Sequence, residues 1–268
     1  MRVVQVAAGL FALQLSLASL NAAGQASEES RLAIGDDGWY SWRVAAHRGV
    51  GEWCCAQWNM GQPAQTGCNL DGRSASVSIM ATDRHQADQM QVYALIDNGR
   101  PAELRTLSAQ CPVTAGRAIA DLGTVDTDTS LDWLQQFIEP RSKLTDDVLA
   151  AISVHEGARA RDTLIDIARN GSDAEQRKDA IQWLGLARID ETTDVMRQLA
   201  FEEGDSEIQE EAILALSQLP PDEAARELIA IIEKPGLHLE TRRMALFSLA
   251  HTDSELVIPY FSALLAGG

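Results

Sequence analysis

Four cysteines carry the most explicit chemistry in the sequence. Cys54, Cys55, Cys68 and Cys111 all fall in the N-terminal half of a 268-residue chain. In an oxidising compartment an even number of thiols in one region reads as two disulfides. Adjacent cysteines rarely bond each other, because the ring closed is tight. Two connectivities remain: Cys54–Cys68 with Cys55–Cys111, or Cys54–Cys111 with Cys55–Cys68. The rival is a zinc site joining these thiols to His47 or His85, but the spacing makes no pair of Cys-x-x-Cys knuckles. Redox catalysts usually place two residues between their cysteines, and Cys54-Cys55 has none.

Other residues suggest chemistry more weakly. His155-Glu156 opens like a zinc-protease helix, yet position 159 is Arg159 rather than a second histidine. A histidine near a helix C-terminus is the simpler reading. Asp126, Asp128, Ser130 and Asp132 alternate like a calcium loop, without the turn glycine or the closing glutamate. The histidines His47, His85, His155, His238 and His251 are scattered, and no glycine-rich phosphate loop follows a strand. Trp39, Trp42, Trp53 and Trp58 lie near the cysteines and should be core mass for a small sheet. Rings exposed on one sheet face would instead make a glycan platform. No catalytic, cofactor-binding or metal residue is expected, and the site residues are the four cysteines.

The elements around these residues have two different periods. From Trp39 to about Ala109 the pattern alternates, with Tyr40, Trp42 and Val44 opposed to Trp39, Ser41 and Arg43. Asp97-Asn98-Gly99 is a hairpin turn, since Asn-Gly supplies the positive φ it needs. This predicts a small antiparallel β domain over residues 27–123, closed by its disulfides. Residues 124–143 read as a polar linker (Thr124 to Ser130) and a short helix (Leu131 to Glu139) stopped by Pro140.

Beyond Leu144 the period is helical and repeats. Val148-Leu149-x-x-Ile152-Ser153 recurs as Ala180-Ile181-x-x-Leu184-Gly185, Ala212-Ile213-x-x-Leu216-Ser217 and Ala245-Leu246-x-x-Leu249-Ala250. Leu164, Met196, Leu228 and Phe261 repeat in step, as do Ile167, Leu199, Ile231 and Leu264. Four helix pairs over 144–268 follow, each able to bury its apolar side only against its neighbours. Capping boxes are expected at Ser172 to Glu175 and Thr252 to Glu255. Small residues at Ser153, Gly185 and Ser217 should let paired helices approach.

The motif Arg177-x-x-Ala180-Ile181-x-x-Leu184-Gly185 resembles the first helix of a HEAT repeat, as does Arg242-x-x-Ala245-Leu246-x-x-Leu249. The resemblance covers roughly residues 144–265 and implies a HEAT-type α-solenoid. Arrays of this kind usually serve as scaffolds or binding surfaces, and a minority attach pigments. Gln209 replaces the arginine in the third unit, so a regular arginine ladder would break there. The N-terminal half resembles no family.

The expected fold class is thus α+β multidomain, a disulfide-bonded β domain followed by an all-α HEAT-type solenoid. Residues 1–26 read as an export signal, with Arg2, an apolar stretch from Val3 to Leu20, then small residues. No later segment is apolar enough to span a membrane, so the product is expected in the periplasm or secreted. The net charge is −17, and residues 131–268 hold 26 acids against 13 bases. That balance opposes a phosphate backbone and makes nucleic acid a poor partner. The functional expectation is a non-enzymatic interaction protein of the cell envelope that binds a protein partner through its helices, without a cofactor. The rivals are a β domain binding a glycan or small ligand, and an enzyme of unrecognised class. The short apolar end at Leu264-Leu265 is unusual for a terminal repeat, which normally presents a polar outer face.

Overall fold

Large apolar side chains occupy both faces of the strand from Trp39, because the sheet they form is covered on both sides. The structure is a computed structural model that describes residues 31–59, 62–65, 67–72, 77–80, 87–187, 189, 191–202 and 204–267. The expected signal segment and His85 lie outside the described residues.

The strands are β1 (Gly38–Ala45), β2 (Glu52–Asn59), β3 (Gln62–Gln65), β4 (Cys68–Asn69), β5 (Val77–Met80), β6 (Gln89–Asp97), β7 (Arg100–Ser108), β8 (Val113–Thr114) and β9 (Ile119–Thr124). The main sheet runs β7-β6-β1-β9, with a second sheet β3-β2-β5 and a short β4-β8 pair. Asn98 and Gly99 take positive φ and close the β6–β7 hairpin, as the dipeptide predicts. The sheets are not wholly antiparallel as expected: β9 pairs parallel with β1, and β8 parallel with β4. Parallel partners need long connections, which no hairpin signal announces.

One face of the main sheet packs on the cysteines. Trp39, Tyr93 and Leu107 form a buried cluster with Leu70 and all four cysteines. The other face, with Trp42 and Val44, meets the helices.

The helices are α1 (Thr127–Leu134), followed by a 3-10 turn at Gln135–Phe137, then α2 (Lys143–Ser153), α3 (Ala158–Asn170), α4 (Ala174–Leu186), α5 (Thr193–Glu202), α6 (Ser206–Ser217), α7 (Pro221–Glu233), α8 (Leu239–Ala250) and α9 (Val257–Ala266). Residues expected as a linker are therefore partly helical. Asp126 caps α1 by accepting the Thr129 N–H at 2.9 Å, and Thr129 and Ser130 are buried. Their short hydroxyl side chains read as linker only until a sheet face covers them.

The first helices of successive pairs stack on one another: α2 on α4, α4 on α6, α6 on α8. The repeated apolar positions Val148, Leu149, Ala180, Ile181, Leu184, Ala212, Ile213, Leu216, Ala245 and Leu249 are buried, whereas Leu246 and Phe261 are half-buried and Leu264 is exposed. Gly185 allows a closer approach than the expected one within a pair. A Cβ there would lie 2.8 Å from the Ala215 Cα, so the contact is between first helices of neighbouring pairs. Pro221 opens α7 at its first turn, where a missing N–H costs little.

Two caps differ from expectation. The cap of α4 is Asp173, which accepts the Gln176 N–H at 3.0 Å, and α9 starts after Leu256 without a side-chain cap. Burial also fades toward the last pair: α9 has no buried residue.

Contacts make Ile34–Gly268 one compact unit. The β region and the helices thus share packing, with α2 lying against β7.

Candidate functional site

Both disulfides form, and the structure selects one of the two pairings left open. Cys54 bonds Cys111 and Cys55 bonds Cys68, with Cα separations of 5.7 and 5.2 Å. These fall inside the range an unforced bridge needs. Adjacent residues on β2 point to opposite sides, so Cys54 and Cys55 reach different partners, and the placement of Cys68 and Cys111 about that strand decides which is which. Glu52 lies near the Cys54 and Cys111 sulfurs. Those sulfurs are bonded to each other, so the thiolates a zinc site requires are gone.

A buried polar chain ties the sheet to the helices. The Trp42 Nε1–H donates to Ser130 Oγ at 2.8 Å. The Ser130 hydroxyl donates to His155 Nε2 at 2.8 Å, and His155 Nδ1–H donates to the Ala151 carbonyl at 2.8 Å. The carbonyl can only accept, which fixes the neutral tautomer and leaves Nε2 as the acceptor. Burial holds the His155 pKa down at about 4.

Ser130 and His155 have the reach of a nucleophile and its base. Sequence spacing did not suggest the pair, because its members come from α1 and from the turn after α2. Ser130 is 0% exposed and lies under Trp42, which is also 0% exposed. A substrate could touch Oγ only by opening the core, so the arrangement acts as a latch. Trp133 packs edge-on against Trp42 at 5.3 Å and extends it.

The other sequence candidates separate in space. Asp128 and Asp132 both bind Arg159, Asp126 caps α1 and Ser130 points into the core, so the four do not converge as a calcium loop. His47 Nδ1 accepts the Gly49 N–H at 3.0 Å. His238 and His251 flank α8 at its two ends. Trp39 and Trp53 are each 1% exposed. With Trp42 they are core, and Trp58's side chain lies outside the described residues. Trp53 packs against Trp183 of α4 with the rings tilted and their centroids 5.4 Å apart, and Trp183 Nε1–H donates to Asp146 at 2.6 Å.

The HEAT-like arginines reach backbone carbonyls. Arg177 donates to the Ala168 carbonyl at 2.9 Å and Arg242 to the Lys234 carbonyl at 3.0 Å. Each reaches the end of the preceding second helix, where unpaired carbonyls carry negative partial charge. Gln209 at the third position accepts from the buried Thr241 hydroxyl at 2.8 Å instead. Between second helices, Arg197 forks onto Glu227 at 2.6 and 2.7 Å.

The outward surface of the first helices is acidic. Asp147 of α2 lies 3.5 Å from Arg105 of β7, and burial lifts its pKa to about 6 against that arginine's pull. Asp179 of α4 is lifted to about 6 by burial and by the nearby charges of Asp146 and Glu175. Burial also raises Glu211 of α6. Farther along, Glu210, Glu240, Arg243, Met244 and Phe247 line an open depression of about 410 Å³.

Among the described residues no helix is long and apolar enough to cross a membrane. A comparison with curated proteins finds no match. The family model for HEAT repeats matches residues 161–250, from within α3 to the end of α8. Residues 161–250 of this chain are therefore similar to HEAT repeats and consistent with a HEAT-repeat segment.

Proposed function

We infer that this protein is an exported, non-enzymatic scaffold of the cell envelope that holds a protein partner on a HEAT-type α-solenoid. The observation that carries the reading is the HEAT-repeat match itself, since such repeats typically mediate protein interactions. Its helices stack pair on pair and leave charged and apolar side chains facing outward. The buried Ser130–His155 pair supports the non-enzymatic reading, because its reactive atoms are sealed under Trp42. Two disulfides and the apolar stretch before residue 26 support export to the periplasm or the medium. The excess of acids on the C-terminal half favours a basic or mixed-charge partner.

Affinity capture of the tagged full chain from the native envelope, followed by mass spectrometry, tests this reading. One or a few stoichiometric partners are expected. Recovery identical to that of an unrelated exported bait would count against a scaffold. Fractionation with N-terminal sequencing tests export: the expected product starts after Gly24 or Ala26. An uncleaved cytoplasmic product would refute that part.

A further inference from the structure

We propose that the outward face of the first-helix layer, from α4 to α8, docks a polypeptide segment that pairs an apolar anchor with lysines or arginines. The proposal rests on the scaffold reading and names the surface and the chemistry of its partner.

The repeat places equivalent residues side by side. Asp147, Asp179, Glu211 and Met244 share one register, and Ala150, Gln182, Leu214 and Phe247 the next turn. Down the stack the first series changes from carboxylate to thioether. The second changes from small and polar to large and apolar. The result is an acidic stretch that runs into an apolar one.

The apolar end is exposed in the last turns of α6 and α8. Phe247 is 62% and Leu214 37% exposed, and Met244 and Phe247 share the open depression with Glu210 and Glu240. Phe247 meets the His251 ring at 4.4 Å yet stays largely exposed, one helix along the layer from Leu214, and such a patch marks an interaction site.

Charge identifies the occupant. The Asp179 and Glu211 carboxylates are half-buried and make no hydrogen bond or ion pair among the described residues, and the charge of nearby Lys178 offsets only part of that burial. The cations on this face are already engaged. Lys178 is held at 2.8 Å by both Glu175 and Glu207, and Arg243 by Glu240 at 2.9 Å. Burial destabilises the Asp179 and Glu211 carboxylates, and a partner's ammonium or guanidinium would relieve it. An acidic or purely apolar segment would leave them as they are.

Spacing follows from the stack. Packed helix axes lie about 8–10 Å apart, so Glu211 and Asp179 stand about one and two steps from Phe247. An extended chain covers those steps in about three and about six residues. The segment should therefore carry basic residues about three and six positions from its apolar anchor.

Fluorescence anisotropy with the whole protein and three short labelled peptides tests this. One peptide has a leucine anchor and lysines at those positions. The second replaces the lysines with glutamates, and the third replaces the anchor with serine. The first should bind about tenfold more tightly than either control. Phe247→Ala and the double variant Asp179→Asn/Glu211→Gln should each weaken it about fivefold. Only the double variant should flatten the salt dependence. Circular dichroism of both variants should match the parent, since none of the three side chains is fully buried.

Equal binding of the charge-reversed peptide, or no change in either variant, overturns the proposal. So does a concentration-dependent dimer abolished by Phe247→Ala, which would give the face to a second copy. Capture of the native partner by both variants as well as by the parent would also remove this face, while leaving the scaffold reading intact. The scaffold reading fails separately, if the parent captures nothing.

Discussion

His155 is the residue whose replacement tests the join between sheet and helices most sharply. Its ring is 2% exposed and holds Ser130, which in turn holds Trp42. In the unfolded chain it takes up a proton near its ordinary pKa of about 6.5. In the native protein burial delays that uptake to about 4. A depressed histidine is neutral in both states at high pH, so its contribution to stability is whole above about 6.5. As pH falls through the interval from about 6.5 to about 4, only the unfolded state gains the proton and stability is lost. At about 1.36 kcal/mol per unit, the full loss is about 3 kcal/mol.

Asp147 and Asp179 act in the opposite sense. Their native pKa values are raised to about 6, so acidification relieves them. Comparing the parent with His155→Gln cancels these carboxylates. Urea melts followed by tryptophan fluorescence at about pH 7.5 and about pH 4.5 give the gap between the two proteins at each pH. At the higher pH the variant should be less stable by about 1–3 kcal/mol, from the hydrogen bonds left without a partner. At the lower pH the gap should shrink by about 2.5 kcal/mol and close or reverse. A gap that stays constant would show that His155 is not a buried neutral ring, and the latch would be refuted.

Leu216→Ala should cost about 2–5 kcal/mol, because Leu216 is 0% exposed between stacked pairs. Glu210→Ala on the same helix should cost less than about 0.5 kcal/mol, and thermal melts of the two would expose a misread register if they came out alike. Gly185→Ala should destabilise by about 1–3 kcal/mol despite alanine's better helix propensity, since the new Cβ meets the Ala215 backbone; a rise in melting temperature would disprove the close approach. Titration of denatured, unreduced protein should find no free thiol. Loop closure alone assigns about 4 kcal/mol to Cys54–Cys111 and about 3 kcal/mol to Cys55–Cys68. Because Trp53 packs against Trp183 and α2 lies on β7, reduction should lower the melting midpoint of the helical signal as well. A helical signal that ignored reductant would mean that the two regions unfold independently.

The helical half was the more legible because its period is written several times. Leu184 and Leu216 sit in one register, and each repeat checks the last. The hairpin at Asn98-Gly99 was legible for a local reason, the positive φ that few residues tolerate. Long-range pairings left no such trace. Nothing near Ile119 indicates that it runs parallel to Trp39, and nothing near Ser130 indicates that Trp42 covers it. The Thr124 to Ser130 stretch reads as linker by composition, yet Val125 N–H bonds the Arg43 carbonyl and Ser130 is core. The four cysteines were read correctly as a disulfide framework, but the choice between pairings depends on how β2 and the chain near Cys68 and Cys111 meet. Trp53 and Trp183 are 130 residues apart in number and in contact in the fold. The acidic face was visible as excess charge on residues 131–268. Its alignment with Leu214 and Phe247 became readable only with the stack in place.

The central claim is that a protein partner is held by the helical array. Hydrogen exchange of the full chain, free and with its captured partner bound, measures this directly. Slowed exchange should be confined to the helices from α4 to α8, with the β region unchanged. Protection confined to residues 38–124, with the helices exchanging as in the free protein, would contradict it.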